Sequence, residues 1–168
     1  MDDLSPGWGL CTSQLGHLFI VGMGEEVGWR GYALPRLQRG RIALEATVIL
    51  SVMWGLWHVP TFLFDQDLAQ GLGMAIGFLF TTFPVAVLYT WLYNSTGGSV
   101  LLVSLWSTSM TLAIGSPATV GSIPLIIVAL MTILAMVVAK VAGAENPSRS
   151  GRRITQHHRN SKCETGGE

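Results

Sequence analysis

The chain is poor in charge. Asp, Glu, Lys and Arg make up 12% of its 168 residues, about half the share of an average soluble domain. Set beside 49% hydrophobic residues and a mean hydropathy of +0.47, that scarcity excludes an ordinary water-soluble globular domain. It also excludes disorder for most of the chain, because disordered segments combine low hydrophobicity with high net charge. Neither sign is in excess: ten basic residues face ten acidic ones, for a formal net charge of zero. Without a long basic run, a nucleic-acid binder is excluded as well. Cysteine is nearly missing. Cys11 and Cys163 stand near opposite ends and make neither a disulfide framework nor a Cys-x-x-Cys pair. The N-terminus has Asp2 and Asp3 where a signal peptide has basic residues.

What the sequence does have is apolar length. A membrane-spanning helix needs ~20 mostly apolar residues, since the hydrocarbon core is about 30 Å thick. Five stretches approach this: 8–34, 42–64, 72–93, 99–115 and 122–140. Pro35, Gly71, Gly97, Gly98, Pro117 and Gly121 punctuate them as turn residues. The reading is an all-α, multi-pass transmembrane bundle of about five spans over residues 1–142. The polar remainder, 143–168, reads as a disordered tail. Five crossings put Arg36, Arg39, Arg41, Arg149, Arg152, Arg153, Arg159 and Lys162 on one side of the membrane. Asp2, Asp3, Asp65 and Asp67 fall on the other. By the positive-inside rule the first side, with the tail, is cytoplasmic, and the protein is expected in the cell membrane. Trp29, Tyr32, Trp91 and Tyr93 fall near the cytoplasmic ends of their spans, where interfacial rings belong.

Charges inside a span cost about 2.5–3.5 kcal/mol each or more, and they usually face a protein interior or a water cavity. The first span holds three within six residues: Glu25, Glu26 and Arg30. Glu26 and Arg30 stand four apart and can pair on one helix face, which leaves Glu25 free. His58 lies deep in the second span, within WGLWHVP. At ~1.5 Å per residue, Glu25 sits ~14 Å from the cytoplasmic end of its span, His58 ~19 Å from Glu45, and Ser107 ~12 Å from Ser99. The three therefore have depths that allow them to meet. A carboxylate facing an imidazole can activate water by general-base chemistry. Trp54, Trp57 and Trp106 suit either packing or the lining of a substrate groove. His157, His158 and Cys163 form a metal-like tract only if the tail folds.

The segment GEEVGWRGYALPRLQ, residues 24–38, strongly resembles the EExxxR first motif of the CPBP intramembrane proteases, which include the CAAX prenyl endopeptidases and the Abi proteins. SVMWGLWHVPTFLF resembles their second motif, FxxxH, with Trp54 in the Phe place and His58 as the histidine. TGGSVLLVSLWSTSMT, residues 96–111, resembles the run into the third motif, HxxxN; Ser107 stands in the His place and Thr111 in the Asn place. The resemblance covers roughly 16–112. It implies an intramembrane endopeptidase in which Glu25 and His58 activate the hydrolytic water and Glu26 and Arg30 brace the site. The third-motif positions would donate hydrogen bonds to the oxyanion, and Ser and Thr hydroxyls are shorter donors for that task. The implied partners are the lipid bilayer and a peptide or protein substrate, hydrophobic or prenylated. No cofactor is expected. A divalent metal such as zinc stays open, although only His17 and His58 lie in spans and a catalytic zinc takes three protein ligands. Family members usually carry further spans before the first motif, so this chain reads as a shortened or mis-started one. The alternative reading is an inactive relative acting as a membrane binding or bacteriocin-immunity protein.

Overall fold

The structure, a computed structural model, describes residues 22–65, 68–115 and 122–143, with Gly16 and Ile20 besides. The tail beyond Gly143, the cysteines and His17 lie outside the described residues. The first helix, α1, runs on through three consecutive pieces: Met23–Glu26, the π-helical Val27–Ala33, and Leu34–Leu37. The others are α2 (Ala43–Asp65), α3 (Leu68–Ser95), α4 (Val100–Gly115) and α5 (Ile123–Ala142). Every regular element among the described residues is helical, as the apolar runs required.

Three of these helices are long and apolar enough to cross a membrane, over Ala43–Phe64, Gln70–Ser95 and Leu125–Ala142. The fourth expected span, Val100–Ile114, is apolar but shorter. Most of the first expected span before Gly22 lies outside the described residues. Side chains show why these helices belong in lipid. Val52, Leu56, Phe80, Leu125 and Val141 point outward, while Leu34, Leu50, Val87, Leu88 and Val103 are buried between helices. Helices apolar on both faces are those of membrane interiors. Their hydroxyls bond back to the helix rather than waiting for water: Thr82 donates to Phe78 O at 2.7 Å and Thr132 to Val128 O at 2.8 Å.

Neighbouring helices run antiparallel. Thr47, near the start of α2, donates to Thr90, near the end of α3, at 2.9 Å. At the opposite end Gly71 of α3 presses on the backbone of Phe62 in α2. Gly31 near the end of α1 approaches Val100 at the start of α4, and Gly22 abuts Thr108 deeper in α4. The turn from α3 to α4 needs glycine: Gly97 and Gly98 have φ of 69° and 90°, and the Gly98 N–H caps Tyr93 O at 2.9 Å. Near the end of α3 the Tyr93 ring is buried between helices, whereas Tyr32 is exposed with the Arg36 guanidinium stacked 3.4 Å over its ring.

Gly71 marks where α2 and α3 come closest. A Cβ there would stand 2.5 Å from Phe62 O, a backbone atom that cannot turn aside, while a Cβ at Gly73 meets nothing within 4 Å. Gly71→Ala is expected to destabilise by about 1–3 kcal/mol. Gly73→Ala is expected to be neutral or to gain up to ~1 kcal/mol of helix propensity. Thermal unfolding of both variants in the same detergent checks the contrast.

Candidate active site

The first helix carries two adjacent carboxylates that turn to different tasks. Glu26 Oε1 accepts from Arg30 Nη1 at 3.0 Å, with both side chains sealed from the surface at 1% and 0% exposure. The spacing of four that predicted the pair holds although the helix widens into π turns directly after Glu26. The guanidinium lies 4.4 Å over the Trp54 ring and 4.7 Å from the Tyr89 ring centre. Desolvated cation–π contacts of this kind offset part of the cost of burying the charge. Glu26 Oε2 and Arg30 Nε and Nη2 are buried without a hydrogen-bond partner among the described residues. The Ser107 hydroxyl lies beside both Glu26 and Tyr89.

Glu25 points the other way, into open space, and meets α2. Its Oε2 accepts from the Trp54 indole N–H at 3.2 Å, and its Oε1 lies 3.9 Å from His58 Nε2. On the far side of the imidazole, His58 Nδ1 is 2.9 Å from the Trp54 carbonyl oxygen. A carbonyl only accepts, so Nδ1 is the donor there and Nε2 is the ring nitrogen turned towards Glu25. Nε2 and Glu25 Oε1 face each other at 3.9 Å. That is too far for a direct hydrogen bond, and it suits a single water lying ~2.8 Å from each. Trp54 and Phe78 pack on the imidazole with centroids 5.9 and 5.0 Å away and fix its tilt.

These groups open on one cavity of about 460 Å³. Glu25, His58, Ser107 and Thr111 all line it, so four of the six residues singled out in the sequence come together. Glu26 and Arg30 lie behind the wall as a buried pair. The rest of the lining is largely apolar, including Phe78, Trp106, Met110 and Met131. The two third-motif positions differ. Thr111 donates its hydroxyl proton to Ser107 O at 3.0 Å, while the Ser107 hydroxyl sits beside Tyr89. Trp54 and Trp106 line the cavity; Trp57 is exposed and meets Trp29 edge-on at 6.5 Å instead. Among the described residues no group of three or more His, Cys, Asp or Glu side chains is placed to hold a metal. The donors present do not complete a three-ligand zinc set, and no chemical step is derived through one.

Three contributors escaped the sequence. Trp54 stood only in the place of a motif phenylalanine, with nothing to show that its N–H would meet Glu25. Tyr89 lies in a charge-free span without a motif, yet it is buried against both Arg30 and Trp54. Thr108 lines the cavity with its hydroxyl unpartnered, and Gly22 is the residue whose missing side chain admits it.

Comparison with known proteins agrees with this geometry. Residues 7–113 match the family described as Type II CAAX prenyl endopeptidase Rce1-like. A curated relative, CAAX prenyl protease 2 of Methanococcus maripaludis, is 26% identical over 106 residues, covering 58% of this chain and 39% of that protein. The chain thus spans about two-fifths of the length of the curated relative it matches. No solved structure matches. With the motif residues of α1 and α2 facing one cavity and nearly two-thirds of the sequence matched, the chain belongs to the Rce1-like family of type II CAAX prenyl endopeptidases.

Proposed function

We propose that this protein is an intramembrane endopeptidase that hydrolyses a peptide bond with a water activated by Glu25 and His58. One observation carries the reading: Glu25 Oε1 and His58 Nε2 face each other at 3.9 Å on the wall of a largely apolar cavity. Water held by both atoms gives a proton to the Glu25 carboxylate as its oxygen attacks the scissile carbonyl carbon. His58 Nε2 accepts the second O–H and aims the attacking lone pair. Collapse of the tetrahedral intermediate breaks the C–N bond, and the proton held on Glu25 passes to the departing amine. Ser107 and Thr111 line the same cavity, and with the Thr111 hydroxyl engaged by Ser107 O, Ser107 is the third-motif donor left to meet the oxyanion. The buried Glu26–Arg30 pair holds the wall against which Glu25 is set.

The cavity's apolar walls suit a hydrophobic segment of a protein substrate. The relative named CAAX prenyl protease 2 supports a prenylated one. Alternation of the helices places the 38–42 turn, the 96–99 turn and Gly143 at one end. Arg36, Arg39 and Arg41 at that end support a cytoplasmic orientation for it and a place in the cell membrane.

A second reading, a silent relative that binds membrane peptides, is favoured by one observation: the Thr111 hydroxyl is already engaged by the helix backbone. The two readings separate on one pair of proteins. The native protein is expected to cleave a fluorogenic apolar or prenylated peptide slowly, and Ser107→His with Thr111→Asn to raise turnover by about 10²-fold, the worth of an oxyanion donor. An inert native protein beside a cutting double variant makes the binding reading correct.

Two further outcomes follow from the geometry. Glu25→Gln and His58→Ala are each expected to lower kcat by about 10²–10⁴-fold with the melting temperature preserved; full turnover in either variant removes the mechanism. Arg30→Leu strands Glu26 inside the bundle and is expected to cost about 3–5 kcal/mol of stability. Chemical denaturation in micelles measures it.

A further inference from the structure

Trp54 touches every part of the site at once. Its indole N–H donates to Glu25 Oε2 at 3.2 Å. Its own carbonyl accepts the proton of His58 Nδ1 at 2.9 Å. Its ring supports the Arg30 guanidinium at 4.4 Å and lies 5.9 Å from the Tyr89 ring. The residue is 9% exposed and is held from the far side by Phe78, 6.5 Å away and edge-on. Little freedom is left to such a ring, so the direction of its N–H is fixed by packing.

We infer that Trp54 is a positioning residue that sets both water-activating groups from one point, its side chain fixing the Glu25 carboxylate and its main chain fixing the His58 tautomer. This deepens the hydrolytic reading above and rests on it. The two contacts act on complementary atoms. Occupying Oε2 leaves Oε1 as the free carboxylate oxygen, and occupying Nδ1 leaves Nε2 as the free ring nitrogen. The two free atoms are the pair that face each other at 3.9 Å. A carboxylate without the indole donor rotates about its terminal torsion, which is broad and roughly two-fold. A phenylalanine at 54 keeps the carbonyl and an aromatic ring, and removes the N–H together with part of the indole's volume. The hydrogen bond to the carboxylate is then lost.

The test separates this positioning from packing and from the catalytic reading itself. In protein labelled with ¹⁵N at tryptophan and histidine, the Trp54 indole N–H resonance is assigned by its disappearance in Trp54→Phe. It is expected to move in Glu25→Ala and to stay in Glu45→Ala, since Glu45 is exposed in the first turn of α2. The His58 nitrogens are expected to show the proton on Nδ1. These signals need no substrate, so they decide the proposal even if the protein proves inert and the hydrolytic reading fails. An indole resonance unmoved in Glu25→Ala, or a proton on Nε2, overturns it. With a cleavable peptide, Trp54→Phe is expected to lower kcat about tenfold or more while KM holds. A Trp54→Phe variant with native kcat overturns the positioning role while leaving the hydrolysis intact.

Discussion

The bundle is organised around one ion pair kept out of both water and lipid. Glu26 and Arg30 sit at the level of the cavity, fully buried, with aromatic faces from α2 and α3 against the guanidinium. Removing two charges from water is expensive, and an interior pair is weak support for a fold unless its surroundings complete it. Here those surroundings include the candidate site residues. Trp54 and Tyr89 meet the guanidinium, Ser107 lies beside the carboxylate, and Glu25 is the neighbouring residue on the helix. Stabilising the pair and shaping the cavity wall are therefore one requirement. The site cannot drift from the core, because it is the exposed edge of the core's only described ion pair between Arg and Glu.

The hydrolysis proposed above sets a problem peculiar to a membrane. Its polar groups need water, while the helices that carry them need lipid. The cavity accommodates both: Glu25 and His58 keep partial exposure there beside Phe78, Trp106 and Met131. Hydroxyls on lipid-exposed faces are closed off against their own helices, as Ser109 is on Leu105 O at 2.7 Å. Thr108 breaks that habit. Its hydroxyl is buried at the cavity with no partner among the described residues, and the Ser104 hydroxyl, one turn before it on α4, is likewise buried with none.

Much of this was legible in the residues. Scarce charge and long apolar runs identified helices in lipid, and the separation of four identified the Glu26–Arg30 pair. Depth counted along each helix brought Glu25, His58 and Ser107 to a common level, where they share one cavity. The helical register of the first span was not legible. A regular helix was assumed, and a seven-residue π segment begins just past the carboxylates. Nothing in GWRGY announces it beyond its two glycines. Tyr89, and the indole N–H contact of Trp54, were missed because periodicity marks a buried ring without saying what its polar edge meets. Tyr93 does stand near the end of its helix, two residues before Ser95, but its ring is buried between helices.

The π-helical stretch has a consequence for how this protein can change. Each such turn holds one residue more than its hydrogen-bonding pattern would need as an ordinary helix. Loss of one residue between Val27 and Trp29 would bring Glu26 and Arg30 from a spacing of four to three and turn everything beyond, the buried Leu34 included, by roughly 100° relative to the acids. The ion pair and the packing of Leu34 would both have to be rebuilt, so the length of this segment is tied to the core as much as to the cavity.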